Sequence, residues 1–144
     1  MTYHFTFQKV LDLKENEKEA AKQELGHVKR KQLELGEQLA EVDVHIEEAL
    51  HQYNQVDRKT VMELLEIQEG IDYFNRQMNQ LKTESKKLDH EVEEKQLVLI
   101  GKTQEAKTWN QWKEKSKAAF IKQMEQKEQA VLDEMAVLRY TRRT

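Results

Sequence analysis

Apolar residues recur along most of this chain at spacings that alternate between three and four positions. The positions of this repeat are called the seam below. In the first part of the chain they run from Phe7 to Val56, and 12 of the 15 are apolar. In the second part, they run from Leu64 to Trp109, and 11 of the 14 are apolar. Such a repeat keeps one stripe of a helix facing a partner only when the helices supercoil around each other. The pattern therefore predicts two coiled-coil helices.

The two apolar seams are separated by a short polar stretch. Asp57, Arg58 and Lys59 interrupt the repeat, and Thr60 is followed three residues later by Glu63. This pair has the form of a capping box, in which each side chain accepts a hydrogen bond from the other residue's backbone N–H at a helix start. We therefore predict a chain reversal here. One continuous helix remains the alternative, because no Gly or Pro forces a break at this point.

The predicted fold class is all-α, with a long antiparallel two-helix coiled-coil hairpin and an overhanging C-terminal helix. A single domain spans 1–144, with helix one at about 5–56, the turn at about 57–60 and helix two at about 60–138. The four glycines all fall off the seam. Glycine there weakens helix propensity without removing a side chain from the helix interface.

The register can be predicted by matching the seams outward from the reversal. One register places Gln32 opposite Leu88 and Leu11 opposite Trp109, and a register shifted by half a heptad fits the pattern equally well. The sequence Tyr3-His4-Phe5-Thr6-Phe7 is rich in aromatics, and in either register Phe5 and Phe7 lie within about two turns of Trp109 and Trp112.

Helix two is longer than helix one, so residues after about Lys115 should project beyond the hairpin. Past Trp109 the apolar stripe shifts phase by one residue, which predicts a local change in supercoil winding. An exposed stripe on a projecting helix predicts a partner that covers it. The predicted stripe consists of Ile121, Met124, Val131, Met135 and Leu138.

Composition supports long solvated helices. Of the 144 residues, 35% are charged and 38% hydrophobic, with no proline and no cysteine. Straight-chain charged residues tolerate a helix well, and the absence of cysteine excludes disulfides and thiolate chemistry. No apolar run predicts a membrane span or a signal peptide, so the expected location is cytoplasmic. With a net charge of −3, nucleic acid is not an expected partner.

Catalytic and metal chemistry find little support. Two Glu-x-x-His units, Glu24 with His27 and Glu48 with His51, resemble carboxylate-histidine metal pairs, but they lie too far apart on one helix to share an ion. The isolated glycines form no phosphate-binding loop, and no nucleophile turn is present. We therefore predict no enzyme activity, no cofactor and no metal site. The seam lysines at 14, 18, 95 and 102 are expected to direct their charges outward and to lower stability.

Short motifs near both ends resemble the FliJ family of flagellar export proteins. The N-terminal sequence Phe5-Thr6-Phe7-Gln8-Lys9-Val10-Leu11-Asp12-Leu13-Lys14 is similar to the family's Phe-x-Phe opening with its following Leu and Lys. Further similarity lies at Trp112-Lys113 and near the C-terminus. There, Asp133-Glu134-Met135-Ala136 followed by Arg139 is similar to the family's Asp-Glu-x-Ala-x-x-Arg ending. Between these motifs only length, heptads and turn position agree.

The resemblance implies a hairpin similar to the rotor stalk of rotary ATPases, acting in the flagellar type III export apparatus. It implies binding to the export ATPase ring, contact with the cytoplasmic domain of the export gate, association with export chaperones, and a peripheral position at the inner face of the cell membrane. For the ring, the motifs and the projecting stripe indicate Phe5, Phe7, Leu11, Trp112, Val131, Met135 and Arg139. For the gate, where no motif marks positions, the candidates are the outward or flanking residues Leu50, Tyr53, Leu65 and Tyr73.

Two other classes compete with this interpretation. A purely structural coiled-coil spacer or adaptor would share the same heptads and would assemble into stable oligomers without an ATPase. A helical cofactor-binding bundle would carry metal or colour when purified.

Overall fold

Two long helices make up the structure, a computed structural model that describes residues 2–55 and 60–143, with side chains as far as residue 142. Helix α1 spans Gln8–Asn54 and helix α2 spans Val61–Arg143. The helices pack against each other in antiparallel fashion, and the described residues contain no strand. The predicted all-α hairpin is therefore confirmed. Val56 and the turn residues 57–59 lie outside the described part of the chain.

The predicted capping box forms at the start of α2. The backbone N–H of Glu63 donates to Thr60 Oγ1 at 3.3 Å, and the backbone N–H of Thr60 donates to the Glu63 carboxylate at 3.4 Å. The Leu64 N–H then donates to the Thr60 carbonyl at 3.1 Å and begins the helical ladder. Two otherwise unpaired donors are thereby satisfied, which explains why the helix begins at Val61.

Helix α1 begins later than predicted, at Gln8 instead of about residue 5. Its entry is a turn in which the Gln8 N–H donates to the Phe5 carbonyl at 3.1 Å. The Leu11 N–H donates to the Phe7 carbonyl at 3.0 Å and closes the first helical turn. Residues 2–7 are therefore available for tertiary packing.

The chain divides into two compact units. The central unit comprises Ala20–Leu99, and the terminal unit comprises residues up to Glu19 together with those from Ile100 onward. Each unit contains a segment of both helices. The heptad seam supplies the core of each unit.

In the central unit, the core cluster consists of Leu25, Val28 and Val92, with Leu88 and Leu99 packed against it. The Gln32 side-chain amide donates to the Asp89 carboxylate next to Leu88. These contacts match the predicted neighbourhood of Gln32 and Leu88, and not the register shifted by half a heptad.

The core is narrow, because only two helices contribute side chains to it. On α1 the seam residues Leu35 and Val42 are 7% and 8% exposed, whereas the residues at the matching register positions of α2, Ser85 and Met78, are only half-buried. Two packed helices leave the flanks of the seam open to solvent, so the free energy gained by burial is limited.

Three of the four seam lysines, at positions 14, 95 and 102, bridge the helices, in contrast to the outward orientation predicted for them. In the central unit, Lys95 Nζ donates to the Glu24 carboxylate at 3.1 Å. In the terminal unit, Lys102 Nζ donates to Glu17 at 3.2 Å. The aliphatic stems lie along the seam while the charged ends reach acidic residues on the opposite helix. The sequence pattern could not indicate this, because it does not show which acids lie opposite.

The predicted phase shift does not lie directly after Trp109 but after Phe120, where half-buried Met124 follows at four residues instead of three. Half-buried Lys113, Ser116 and Phe120 continue the spacing of three and four, whereas Ile121 is 46% exposed. Two polar residues at seam positions made the continuation invisible in the hydrophobic pattern. The seam therefore stays in one phase as far as Phe120.

Candidate partner-binding surfaces

An aromatic cluster in the terminal unit consists of Phe5, Phe7, Trp109 and Trp112. The rings of Phe7 and Trp112 stack with centroids 5.0 Å apart, and Trp109 lies 5.0 Å from Trp112. Phe5 meets Trp112 edge-on at 6.2 Å. Aromatic pairs at these separations stabilise beyond the area that they bury. The cluster is positioned by the turn at residues 5–8 and by the α2 seam.

The cluster has one buried side and one open side. Phe5 is 9% exposed and Leu11 is 3% exposed, so both belong to the core. Phe7 and Trp112 are 41% and 47% exposed. Of these four sequence-predicted ring-binding residues, only Phe7 and Trp112 present surface to a partner. Phe5 and Leu11 can act only by supporting them, because contact with a partner would require unpacking.

Tyr3 extends the covered region further than the sequence indicated. Its ring packs against Phe120 with centroids 5.4 Å apart. Its hydroxyl oxygen is buried and makes no hydrogen bond. The projecting part of α2 therefore begins after the half-buried Met124 and not near Lys115. The signal was the density of aromatics at residues 3–7, which marked an anchored N-terminus.

The tip of α2, defined as residues 125–142, is exposed along its whole length. The predicted contact residues Val131 and Met135 are 52% and 55% exposed, and Arg139 is exposed as well. The tip also exposes large apolar residues that the predicted stripe did not include. They are Leu132, Val137 and Tyr140, which are 59%, 62% and 73% exposed.

The apolar residues of the tip point in several directions around the helix and so extend beyond the single predicted stripe. At about 100° per residue, Val131, Met135 and Leu138 share one face. Leu132 and Tyr140 lie on a second face, and Val137 points away from Met135. Charged residues lie between them, so the tip is mixed and not wholly apolar, but a partner that covers all of its large apolar side chains must contact several faces of the helix. The tip is therefore suited to an enclosing site more than to a one-sided groove.

The four predicted gate residues are all exposed in the central unit. Leu50 and Tyr53 on α1 are 43% and 38% exposed, and Leu65 and Tyr73 on α2 are 54% and 52% exposed. The exposure of Tyr53, which the heptads assigned to the seam, shows that the tight seam ends before this residue. These four residues are called the turn-proximal surface below.

The first turn of α2 adds two residues that sequence reasoning missed. Val61 and Met62 are 74% and 76% exposed, and both share a helix face with Leu65. Apolar residues directly after a capping box, outside the seam repeat, were the available signal.

His45 on α1 contacts α2 although its side chain is 44% exposed. Its ring stacks on Phe74 with centroids 5.3 Å apart and an interplanar angle of 13°. Its two nitrogens lie 3.9 Å from carboxylates of Glu41 and Glu48. The pairing fixes the register of α1 against α2 near the middle of the central unit.

A four-membered ion network joins the helices in the terminal unit. Lys14 Nζ lies 3.1 Å from Glu105 and 3.6 Å from Glu17, and Lys102 lies 3.2 Å from Glu17 and 4.0 Å from Glu105. The hydrogen bond from Lys102 lowers the pKa of Glu17, and the hydrogen bond to Glu105 raises the pKa of Lys14. Burial opposes both pKa shifts but is the smaller effect. The network holds α1 and α2 in register beside the aromatic cluster.

No metal site is formed by the described residues. Within 2–55 and 60–143, no group of three His, Cys, Asp or Glu side chains could hold an ion. In the same ranges, no helix is long and apolar enough to cross a membrane.

The pairing of the two helices defines a class of protein, the antiparallel coiled-coil hairpin. The comparisons with known families are more specific. The family model described as flagellar FliJ protein matches residues 3–144. The chain therefore belongs to the FliJ family, and it is a component of the flagellar protein export apparatus. No curated protein and no solved structure matches the chain.

Proposed function

We propose that this chain is a non-enzymatic, rotor-stalk-like coiled coil that binds the export ATPase ring and links it to the membrane export gate. In this proposal the protein is cytoplasmic, associates with the membrane only through its partners, and escorts export chaperones. The terminal unit supplies the ring contact, and the turn-proximal surface supplies the gate contact.

The observation that carries the ring proposal is the apolar tip. Val131, Leu132 and Val137 point in different directions, and each is more than half exposed. One helix lying in a groove would cover only one of these faces. The central channel of a ring surrounds a helix and would cover them all. Family membership makes the ring of the export ATPase the natural candidate.

The open side of the aromatic cluster offers a second contact on the same unit. Phe7 and Trp112 present a stacked aromatic surface that is held from behind by Phe5. Large, rigid aromatics lose little side-chain entropy on binding and are enriched among the residues that dominate interface energies. We assign this surface to the rim of the ring, next to the channel that receives the tip.

The gate proposal rests on exposure at the other partner surface. Leu65 and Tyr73 on α2 belong to the central unit, so a partner there does not compete for residues with the ring. Tyr73 is oriented by Gln77, whose side-chain amide donates to the Tyr73 hydroxyl at 3.1 Å. A positioned aromatic with a polar end is well suited to a protein interface.

Two double variants separate the two contacts. Val131→Asp with Met135→Asp should abolish ring binding and stimulation of the ATPase, because aspartate cannot enter an apolar channel without a large desolvation cost. Leu65→Asp with Tyr73→Ala should weaken gate binding and leave ring binding intact. Leu33→Asp is the matched control, since Leu33 is 67% exposed and belongs to neither surface.

Binding of both partners should be measured with purified proteins, alongside thermal melts. The melting temperature of the tip variant should stay near that of the parent chain, because the substituted residues are exposed. Normal ring binding by the tip variant would refute the ring assignment. Stable higher oligomers that bind neither partner would favour the structural spacer.

A further inference from the structure

We propose that the tips of two copies of this chain pair with each other in antiparallel orientation, in a weak dimer that shields part of the apolar tip when no other partner is bound. The pairing itself is a property of the isolated chain. Its regulatory consequence, competition with the ring, rests on the proposed function.

The tip carries a short seam with unlike charges at its two ends. Glu128, Val131, Met135, Leu138 and Arg142 follow one another at spacings of three, four, three and four residues. These spacings place all five on one face of the helix. All five are exposed, and α1 covers none of them. The apolar centre of the seam is thus flanked by an acidic residue at its N-terminal end and a basic residue at its C-terminal end.

This arrangement selects the orientation of a second copy. In an antiparallel pair centred on Met135, Glu128 of each copy lies next to Arg142 of the other, and Val131 lies next to Leu138. In a parallel pair, like charges meet at both ends of the seam, which is destabilising. Charge complementarity therefore favours one orientation of one occupant, a second copy of this chain.

The pairing is necessarily weak. A seam of about four helical turns buries well under the area of about 1,200 Å² at which stable interfaces begin. It also covers only the Met135 face, while Leu132, Val137 and Tyr140 stay open. A ring channel that encloses the whole tip would gain more burial and displace the second copy. The dimer would thus protect the free chain without blocking assembly.

Self-association should be measured by sedimentation velocity of the full chain from about 1 μM to 1 mM, a range that brackets weak interfaces. We expect reversible dimers at the upper end. Arg142→Glu and Glu128→Arg should each weaken dimerisation by about tenfold, because each replaces two attractive charge pairs with repulsive ones. An equimolar mixture of the two variants should restore it through mixed dimers.

Asp133→Arg is the control, because it makes the same charge change as Glu128→Arg on the opposite side of the helix. It should leave dimerisation unchanged. The orientation has its own test, since the chain has no native cysteine. Mixed Glu128→Cys and Arg142→Cys chains should form a 128–142 disulfide between copies in preference to a 128–128 disulfide.

A chain that remains monomeric at 1 mM would overturn the proposal, and so would a preferred 128–128 disulfide. Equal weakening by Asp133→Arg would show that the seam does not carry the contact. None of these results involves the ATPase, so they leave the ring proposal untouched. Conversely, failure of ring binding would leave the dimer measurement valid.

Discussion

The ring of Phe7 stacks on the ring of Trp112 at 5.0 Å, while Phe5, two residues earlier, is buried beneath the same tryptophan. Phe5 is therefore a core residue, whereas Phe7 forms part of the exposed surface. Phe5→Ala should lower the free energy of unfolding by about 3 kcal/mol, in the range for loss of a buried aromatic, and Phe7→Ala by about 1 kcal/mol. Chemical denaturation compares them directly. Equal losses would show that the cluster has no distinct buried and open sides.

Three leucines on α1 test the core at closely spaced positions. Leu35 is 7% exposed, Leu39 is half-buried and Leu33 is 67% exposed. Substitution by alanine should lower the free energy of unfolding by about 2 to 3 kcal/mol at Leu35, by about 1 to 2 kcal/mol at Leu39 and by less than about 0.5 kcal/mol at Leu33. The same helix and the same chemical change make this a matched series. Any other ranking in urea denaturation would contradict the observed packing.

Glycines in the helices offer a test in the stabilising direction. A Cβ added at Gly26 or Gly36 meets no atom within 4 Å. Alanine should therefore raise the free energy of unfolding by about 0.5 to 1 kcal/mol at each site, because it removes backbone freedom from the unfolded chain and favours the helix. The effects should add, since the sites are more than two turns apart. A loss of stability at either site would indicate a close partner there.

Much of this fold follows from the heptad pattern alone, because apolar side chains at seam spacing have no other place to be buried. The start of α2 also follows, since Thr60 and Glu63 satisfy specific backbone donors. Predictions failed where polar residues occupy the seam. Lys113 and Ser116 occupy seam positions, so the hydrophobic pattern did not show that the seam continues there. The positions of Lys95 and Lys102 did not indicate which acidic residues of α1 they contact.

The candidate contact surfaces were harder to predict than the fold. Periodicity placed Leu11 on the seam, where the other helix covers it, and the family resemblance alone made it a contact candidate. Periodicity also does not show that Tyr3 reaches Phe120. The tip was predicted as one stripe, because a search for seam spacing selects the residues of one face. Leu132, Val137 and Tyr140 lie outside that spacing, so their exposure became apparent only with the helix geometry.

The ion network of Lys14, Glu17, Lys102 and Glu105 predicts a pH dependence at both extremes. Glu17 has a pKa below its ordinary value of 4.5, so its stabilising contribution is present above pH 4.5 and is lost as the pH falls through the lowered pKa. Lys14 has a pKa above 10.5, so its contribution is present below pH 10.5 and is lost as the pH rises through the raised pKa. Stability should be greatest between these limits.

Glu17→Gln isolates the acidic limb of this dependence. The variant should be less stable than the parent chain at pH 7, and the difference should shrink at low pH, where Glu17 is protonated in both folded and unfolded states. High salt should also reduce the difference, because these side chains are partly exposed. Urea denaturation across pH supplies the measurement. A difference independent of both pH and salt would mean that packing and not charge explains the loss.

The enclosure of the tip is the central claim, and cysteine protection tests it most directly. The chain has no native thiol, so single cysteines can be introduced one at a time. Val131→Cys, Leu132→Cys and Val137→Cys sample three directions around the helix. Leu97→Cys is the exposed control outside the tip. If the ring surrounds the tip, the assembled export ATPase will slow alkylation at 131, 132 and 137 by about tenfold or more while 97 reacts as before. Protection of one face only, or of none, would contradict insertion into the ring.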